Sequence, residues 1–305
     1  IIAPQGGPTL QLAVDELQRY WQGPALKLIL NPNLKDDDGF IYDGDSICAH
    51  SEIGLLYGAY EALRIQAQEV DPGLGGYTAP KFPRRILDHW DNLDGTIERG
   101  YAGRSIFFSG HLKGQAWANR IKEYARANAS IGLNGSVLNN VNAAPKVLTA
   151  EYIDTVCMIA NVLRPYGIKV YLSVNFGSPK ALGYTKTADP LDKSVIKWWR
   201  EKANEIYKHI PDFGGFLVKA NSEGQPGPFD YGRTHADGAN MLADALAPHG
   251  GIVMWRSFVY GARHKGEDRV KQAVSEFKDL DGLFRSNVIL QSKNGPLIHS
   301  IPPAV

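Results

Sequence analysis

The fold class is decided by residues 169–228, KVYLSVNFGSPKALGYTKTADPLDKSVIKWWREKANEIYKHIPDFGGFLVKANSEGQPGP. Apolar runs predict strands at Lys169–Val174 and Gly215–Lys219, and the amphipathic stretch over 193–209 predicts a helix between them. A helix of this length between two strands implies a right-handed parallel crossover. The same period continues from about Arg84 onward, with further strands predicted at Arg85–His89, Gly132–Leu138, Gly251–Trp255 and Asn287–Gln291, and helices near 114–129, 149–164, 235–247 and 267–277.

Polar residues follow the predicted strands, and their distribution separates two parallel architectures. A doubly wound open sheet concentrates ligand contacts at one switch point, whereas a TIM barrel collects them from all strand ends around one mouth. We therefore predict an α/β fold of the (β/α)8 TIM-barrel type. Since six strands are found, it lacks its last two βα units. The polar clusters are His89–Asn92, Asn139–Asn140, Asn175, Lys219–Glu223, Arg256 and Lys293–Asn294.

Residues 1–80 are predicted to form a small α/β domain ahead of a truncated barrel domain at 84–305. Asp71–Pro83, rich in glycine and proline, is predicted to link the two. Within the small domain the expected elements are a helix at Thr9–Trp21, strands at Leu26–Leu30, Phe40–Tyr42 and Ser46–His50, and a helix at Glu52–Gln68.

Composition excludes several classes of function. A net charge of +1 over 305 residues offers no bulk attraction to nucleic acid or to an anionic membrane. Cys48 and Cys157 form neither a disulfide framework nor a metal-ligand spacing, and no GxGxxG or Walker A motif follows a strand. We therefore expect no metal and no cofactor. The N-terminus lacks a charged signal region, which favours the cytoplasm, although without an initiating Met the chain could begin inside a longer protein.

Glu223 is the strongest candidate for acid–base chemistry. It lies just beyond a predicted strand in a loop stiffened by Gly224, Pro226 and Gly227. A stiff loop suits proton transfer, because the carboxyl must be held within hydrogen-bonding reach of the reacting atom. The alternative is an ordinary exposed glutamate in a turn.

A second set of candidates could hold an anionic sugar. Trp90 follows the first barrel strand and offers a face for stacking on a sugar ring, although it could equally pack as core. Lys219, Arg256 and Lys293 each end a different strand. Three cations around one mouth suggest a carboxylate or phosphate ligand, whereas any one alone would more readily be a structural ion pair.

Several long motifs make the chain resemble the α-glucuronidases of glycoside hydrolase family sixty-seven. The resemblance implies that Glu223 is the general acid, that Trp90 contacts the sugar, and that Lys219, Arg256 and Lys293 contact the uronic acid. Asp91, Asn175 and Asn221 would line the same mouth. The motifs are HWDNLDGTIERGYAGRSIFF (His89–Phe108), KTADP (Lys186–Pro190), IPDFGGFLVKANSEGQPGP (Ile210–Pro228), YGRTHADGANMLADALAPHGGIVMWR (Tyr231–Arg256) and SNVILQSKNGP (Ser286–Pro296).

The implied activity is release of glucuronic acid, or its 4-O-methyl ether, from xylooligosaccharides with inversion at the anomeric carbon. Inversion needs a second carboxylate to activate water. Ile298 occupies the position of the family's expected Asp, and the later Glu falls beyond the end of this sequence. The alternative is therefore a catalytically impaired fragment that only binds glucuronate or xylooligosaccharide. The partner implied is a xylooligosaccharide bearing glucuronic acid, and complete members are expected to form homodimers.

Overall fold

The structure, a computed structural model, describes residues 1–69, 75–108, 110, 114–257 and 266–292. The strands are β1 Lys27–Leu30, β2 Phe40–Tyr42, β3 Ser46–Ala49, β4 Tyr77–Thr78, β5 Ile86–Asp88, β6 Gly135–Val137, β7 Lys169–Val174, β8 Gly215–Val218, β9 Ile252–Arg256 and β10 Val288–Gln291. The helices are α1 Pro8–Tyr20, α2 Glu52–Gln68, α3 Gly114–Ser130, α4 Ala150–Leu163, α5 Ser178–Ala181, α6 Lys193–His209, α7 His235–Leu246 and α8 Arg269–Phe277.

The chain divides into two compact units. The first comprises Ile1–Leu87, His111–Ser136 and Ile159–Lys169, and the second comprises Asp88–Gly110, Val137–Met158 and Val170–Val305. This division follows contacts in space rather than a single cut in the chain. The boundaries at 1–80 and 84–305 stay a prediction.

The first unit contains a mixed four-stranded sheet in the order β1-β3-β2-β4. Ser51 caps α2, since its side chain accepts a hydrogen bond from the backbone N–H of Gly54. Leu17, Ile47 and Leu55 are fully buried in this unit. The strand β4 lies inside the segment predicted as a linker, because the backbone at 77–78 pairs antiparallel with β2 as a short edge strand.

The second sheet has the order β10-β9-β8-β7-β6-β5, and the strands from β7 to β10 pair in parallel. Its two edges approach each other, because Gln291 at the end of β10 donates a hydrogen bond of 2.6 Å to the Asp88 carboxylate at the end of β5. The sheet is therefore curled, with its carboxyl ends gathered on one side. The α/β class and the parallel six-stranded sheet predicted from the sequence are confirmed at this level.

The core of the second unit is built from aromatic side chains. Trp199 of α6 and Phe216 of β8 are fully buried with ring centroids 5.7 Å apart, and Phe176 meets Trp255 edge-on at 6.1 Å. The predicted bounds of β2, β7, α2 and α6 are confirmed without change, and the other predicted elements are confirmed with ends shifted by one to three residues.

Candidate functional site

The candidate site lies in the second unit, around an ion pair between Lys219 and Glu223. Lys219 follows β8, and its side chain is only 4% exposed. Its ammonium forms a short hydrogen-bonded contact with Oε2 of Glu223 and donates a hydrogen bond of 2.8 Å to Oδ1 of Asn142. The side chain of Glu223 is 38% exposed, so solvent reaches this carboxylate but hardly reaches the ammonium behind it.

The loop that carries Glu223 is held in an unusual backbone conformation. Both Asn221 (φ 49°) and Glu223 (φ 49°) adopt left-handed backbone angles, which cost energy for residues with side chains. The side chain of Asn221 ties the loop together, since it accepts from the backbone N–H of Phe229 and donates to Asp230, both at 3.0 Å. Its amide is therefore used by the loop itself and shapes the approach to Glu223.

Asn175 supports the same loop from the end of β7. Its amide donates a hydrogen bond of 3.1 Å to the side chain of Gln225, and its Oδ1 accepts one of 2.9 Å from the backbone N–H of Gly177. Asn175 and Asn221 therefore both contact the loop around Glu223.

A second loop brings Arg99 to the opposite side of Glu223. The guanidinium of Arg99 lies 3.6 Å from Oε1 of Glu223 and 3.9 Å from the carboxylate of Glu98. The position of this loop is fixed by two amides, because Asn92 and Asn140 donate hydrogen bonds of 2.9 and 3.2 Å to the carbonyl oxygen of Glu98. Arg99 is 69% exposed, so its charge is available to a ligand.

Arg256 and Trp90 form the third part of the site. The guanidinium carbon of Arg256 lies 5.8 Å from the centroid of the Trp90 ring, within the range of a cation–π contact. Arg256 ends β9 and is 7% exposed. Its neighbour Trp255 donates to Nδ1 of His235 at 3.2 Å, so Nε2 of His235 carries the hydrogen and faces the Glu276 carboxylate at 3.0 Å. This buried chain of contacts anchors the strand end that delivers Arg256.

The charges of the site act on each other. Burial is the largest single influence on the pKa of the Glu223 carboxyl and raises it, but the hydrogen bond from Lys219 and the nearby positive charges together lower it by more. Arg99 and Arg256 act in the same direction as Lys219, so the pKa of Glu223 lies below its ordinary value. Burial is the main cause that lowers the pKa of the Lys219 ammonium. Both the contact with Lys219 and the lowered pKa favour the ionised form of the Glu223 carboxyl.

Asp91 is buried inside the loop after β5. Its carboxylate lies 3.9 Å from Nδ1 of His89, and its backbone carbonyl accepts a hydrogen bond of 2.8 Å from Asn140. Burial raises the pKa of the Asp91 carboxyl, against the lowering effect of a hydrogen bond from Ser105. At 4% exposure Asp91 contacts its own loop and offers little surface to a ligand.

Of the predicted site residues, the structure brings Trp90, Lys219, Glu223 and Arg256 together, while Lys293 and Ile298 lie outside the described residues. Sequence reasoning missed Arg99 and Asn142. The only available signal for them was their place in polar segments after β5 and β6, which does not tell which side chain reaches Glu223.

In the part of the chain that the structure describes, no group of three or more His, Cys, Asp or Glu side chains could hold a metal ion. None of the described helices combines the length and apolar character required to cross a bilayer.

Residues 64–301 match the glycosyl hydrolase family 67 middle domain. The chain belongs to glycosyl hydrolase family 67. The resemblance predicted from the motifs is thereby confirmed, and most of the residues described above, including both loops of the candidate site, lie inside the matched segment.

Relatives of this family 67 chain are longer proteins. "Probable alpha-glucuronidase A" of Aspergillus clavatus is 49% identical over 273 residues, which is 87% of this chain and 32% of the relative. "Alpha-glucuronidase A" of Emericella nidulans is 48% identical over 277 residues, which is 86% of this chain and 32% of the relative. The chain thus spans about a third of the length of these relatives.

Solved structures share the fold of this family 67 chain at low sequence identity. An inactive mutant of the GH20 exo-β-N-acetylglucosaminidase of Vibrio harveyi superposes with a TM-score of 0.57 at 12% identity, covering 96% of this chain and 54% of that one. At such identity the likeness concerns the fold alone.

Proposed function

We propose that this chain is part of an inverting α-glucuronidase that releases glucuronic acid, or its 4-O-methyl ether, from xylooligosaccharides. The observation that carries the proposal is the cluster of Lys219, Arg99 and Arg256 around one loop-held carboxylate, Glu223. A cationic pocket suits a uronate, and a carboxyl beside it suits protonation of the leaving oxygen. The names of the relatives favour this catalytic function over a fragment that only binds sugar.

Each residue has a role in this proposal. Glu223 protonates the glycosidic oxygen as the bond breaks, while Lys219 and Arg256 bind the substrate carboxylate and Trp90 offers its ring to the sugar. Asn175 and Asn221 keep the Glu223 loop in place. The curled sheet is proposed to be six strands of a (β/α)8 barrel, whose mouth would collect all these side chains.

The proposal is tested by binding and by turnover. Glucuronate should bind in isothermal titration, and Arg256→Ala should weaken that binding, while the exposed cation change Arg200→Ala on α6 should leave it unchanged. In the longer protein that supplies the second carboxylate, release of glucuronic acid from an aldouronic oligosaccharide should fall by roughly 10²–10⁴-fold on Glu223→Gln, the range that general acid catalysis contributes.

Two results would overturn the proposal. One is the absence of heat with glucuronate at millimolar concentration. The other is equal binding by the wild-type chain and Arg256→Ala, since a uronate site cannot be indifferent to the loss of its buried guanidinium.

A further inference from the structure

The ion pair at the centre of the site conflicts with the role of an acid. A general acid must carry a proton when the glycosidic bond breaks. In this structure Glu223 contacts Lys219 through Oε2 and Arg99 through Oε1, and both cations stabilise the ionised carboxylate, which has no proton to donate. Something in the reaction must therefore release Glu223 from its cations before it can act.

The Lys219 ammonium is the contact most open to competition. It is deeply buried and has three donor hydrogens, of which one is directed to Asn142 and one to Glu223. A buried ammonium needs an anionic partner, but that partner can be any carboxylate that reaches it. Glu223 reaches it from a loop in contact with solvent, so its carboxylate can move away without unfolding a strand.

We propose that the carboxylate of the bound uronate takes over Lys219 from Glu223, and that the displaced Glu223 takes up a proton from solvent. The substrate thereby generates the acid that cleaves it. This inference rests on the function proposed above and deepens it. In the step one proton leaves the solution and binds a Glu223 oxygen, and the same proton later passes to the leaving glycosidic oxygen.

Electrostatics favours this sequence of events. Two carboxylates sharing one set of cations repel each other, and such pairs keep a proton on one of the two. The uronate is the more strongly held of the two, because Arg256 is buried beside the same pocket and can also bind it. A neutral sugar cannot displace Glu223, so the arrangement would discriminate against glucosides at the proton-transfer step as well as in binding.

Among the residues that the structure describes, three cations act on Glu223. Lys219 and Arg99 contact it directly, and Arg256 acts on it through its charge. Asp88, Asp91 and His89 are the other titratable groups at the end of β5 that could respond to a ligand.

The test is the proton linkage of glucuronate binding, measured by isothermal titration in two buffers of different ionisation enthalpy. Binding should take up roughly half a proton near pH 5 and close to none at pH 7. Affinity should rise by roughly twofold as the pH falls from 7 to 5. Glucose, which has the same ring without the carboxylate, is the matched ligand control.

Glu223→Gln and a matched glutamine control identify the group that takes up the proton. Glu223→Gln should bind glucuronate several-fold more tightly at pH 7, because the competing carboxylate is gone, and should take up no proton. Glu201→Gln removes an exposed carboxylate on α6, outside the site, and should behave like the wild-type chain. If Glu223→Gln does not fold, carbon-detected NMR of the glutamate carboxyls in the unmodified chain reads the same protonation.

The outcomes are distinct. Absence of glucuronate binding overturns the proposed function. Binding without proton uptake leaves that function standing and overturns this inference, since Glu223 would then keep its ion pair. Uptake that persists in Glu223→Gln also overturns it, because the proton would belong to another group such as Asp88 or Asp91.

Discussion

The two partners of the central ion pair differ in burial, and this difference predicts an asymmetry in stability. We compare Lys219→Met with Glu223→Met, which introduce the same side chain on either side of one contact. The Lys219 side chain is 4% exposed and that of Glu223 is 38% exposed. Removing either partner leaves the other without this counter-charge, and the cost depends on how well water and the remaining neighbours can solvate it.

The magnitudes follow from these exposures. Glu223→Met leaves a buried ammonium with Asn142 as its protein acceptor among the contacts described, which should cost about 2–3 kcal/mol of unfolding free energy. Lys219→Met leaves a solvent-accessible carboxylate that keeps Arg99 at 3.6 Å, and should cost about 1 kcal/mol or less. A difference of about 1–2 kcal/mol corresponds to roughly a 5–30-fold change in the folding equilibrium constant.

Urea unfolding at pH 7, followed by circular dichroism, measures both variants. The difference in unfolding free energy between the two variants should become smaller toward pH 10. Burial lowers the pKa of the Lys219 ammonium, so in Glu223→Met this ammonium can lose its proton and no longer leaves a buried charge. The double variant, with Met at both positions, should lose less free energy of unfolding than the two single losses added together. If Lys219→Met proves the more destabilising, the reasoning from burial is refuted.

Three other outcomes follow from the structure. Gly215→Ala should prevent folding or strongly lower the melting temperature, because the added Cβ would lie 1.9 Å from the carbonyl oxygen of Ile252 at φ 137°. Burial lowers the pKa of His89 to about 4. Because the unfolded chain then binds a proton more readily, the free energy of unfolding should fall by up to about 3 kcal/mol as the pH falls from 6.5 to 4. Urea unfolding at several pH values measures this fall, and His89→Phe should reduce it. The hydrogen bond from Arg233 is the main cause that lowers the pKa of Asp189. Arg233→Gln should therefore destabilise the folded chain at pH 7, and this loss should disappear as acid protonates Asp189. Urea unfolding of both chains at pH 7 and at pH 3 measures the difference.

Much of the fold was predictable because the helices and strands here follow local rules. The apolar run of β7 and the amphipathic period of α6 have the same bounds in the sequence prediction and in the structure. The two-residue strand β4 was missed because its pairing with β2 depends on backbone hydrogen bonds across a distance in sequence. Short edge strands carry almost no pattern of their own.

The α/β class, the parallel order and the identity of the charged residues at the strand ends could all be read from the amino-acid sequence. These are encoded by hydrophobic period and by motifs, which are local properties of the chain. The contacts of Glu223 with Lys219 and Arg99, and the burial of Asp91 in its own loop, became known from the folded structure. The contacts of a side chain depend on distant segments brought together by folding, and the protonation of a carboxylate depends on those contacts.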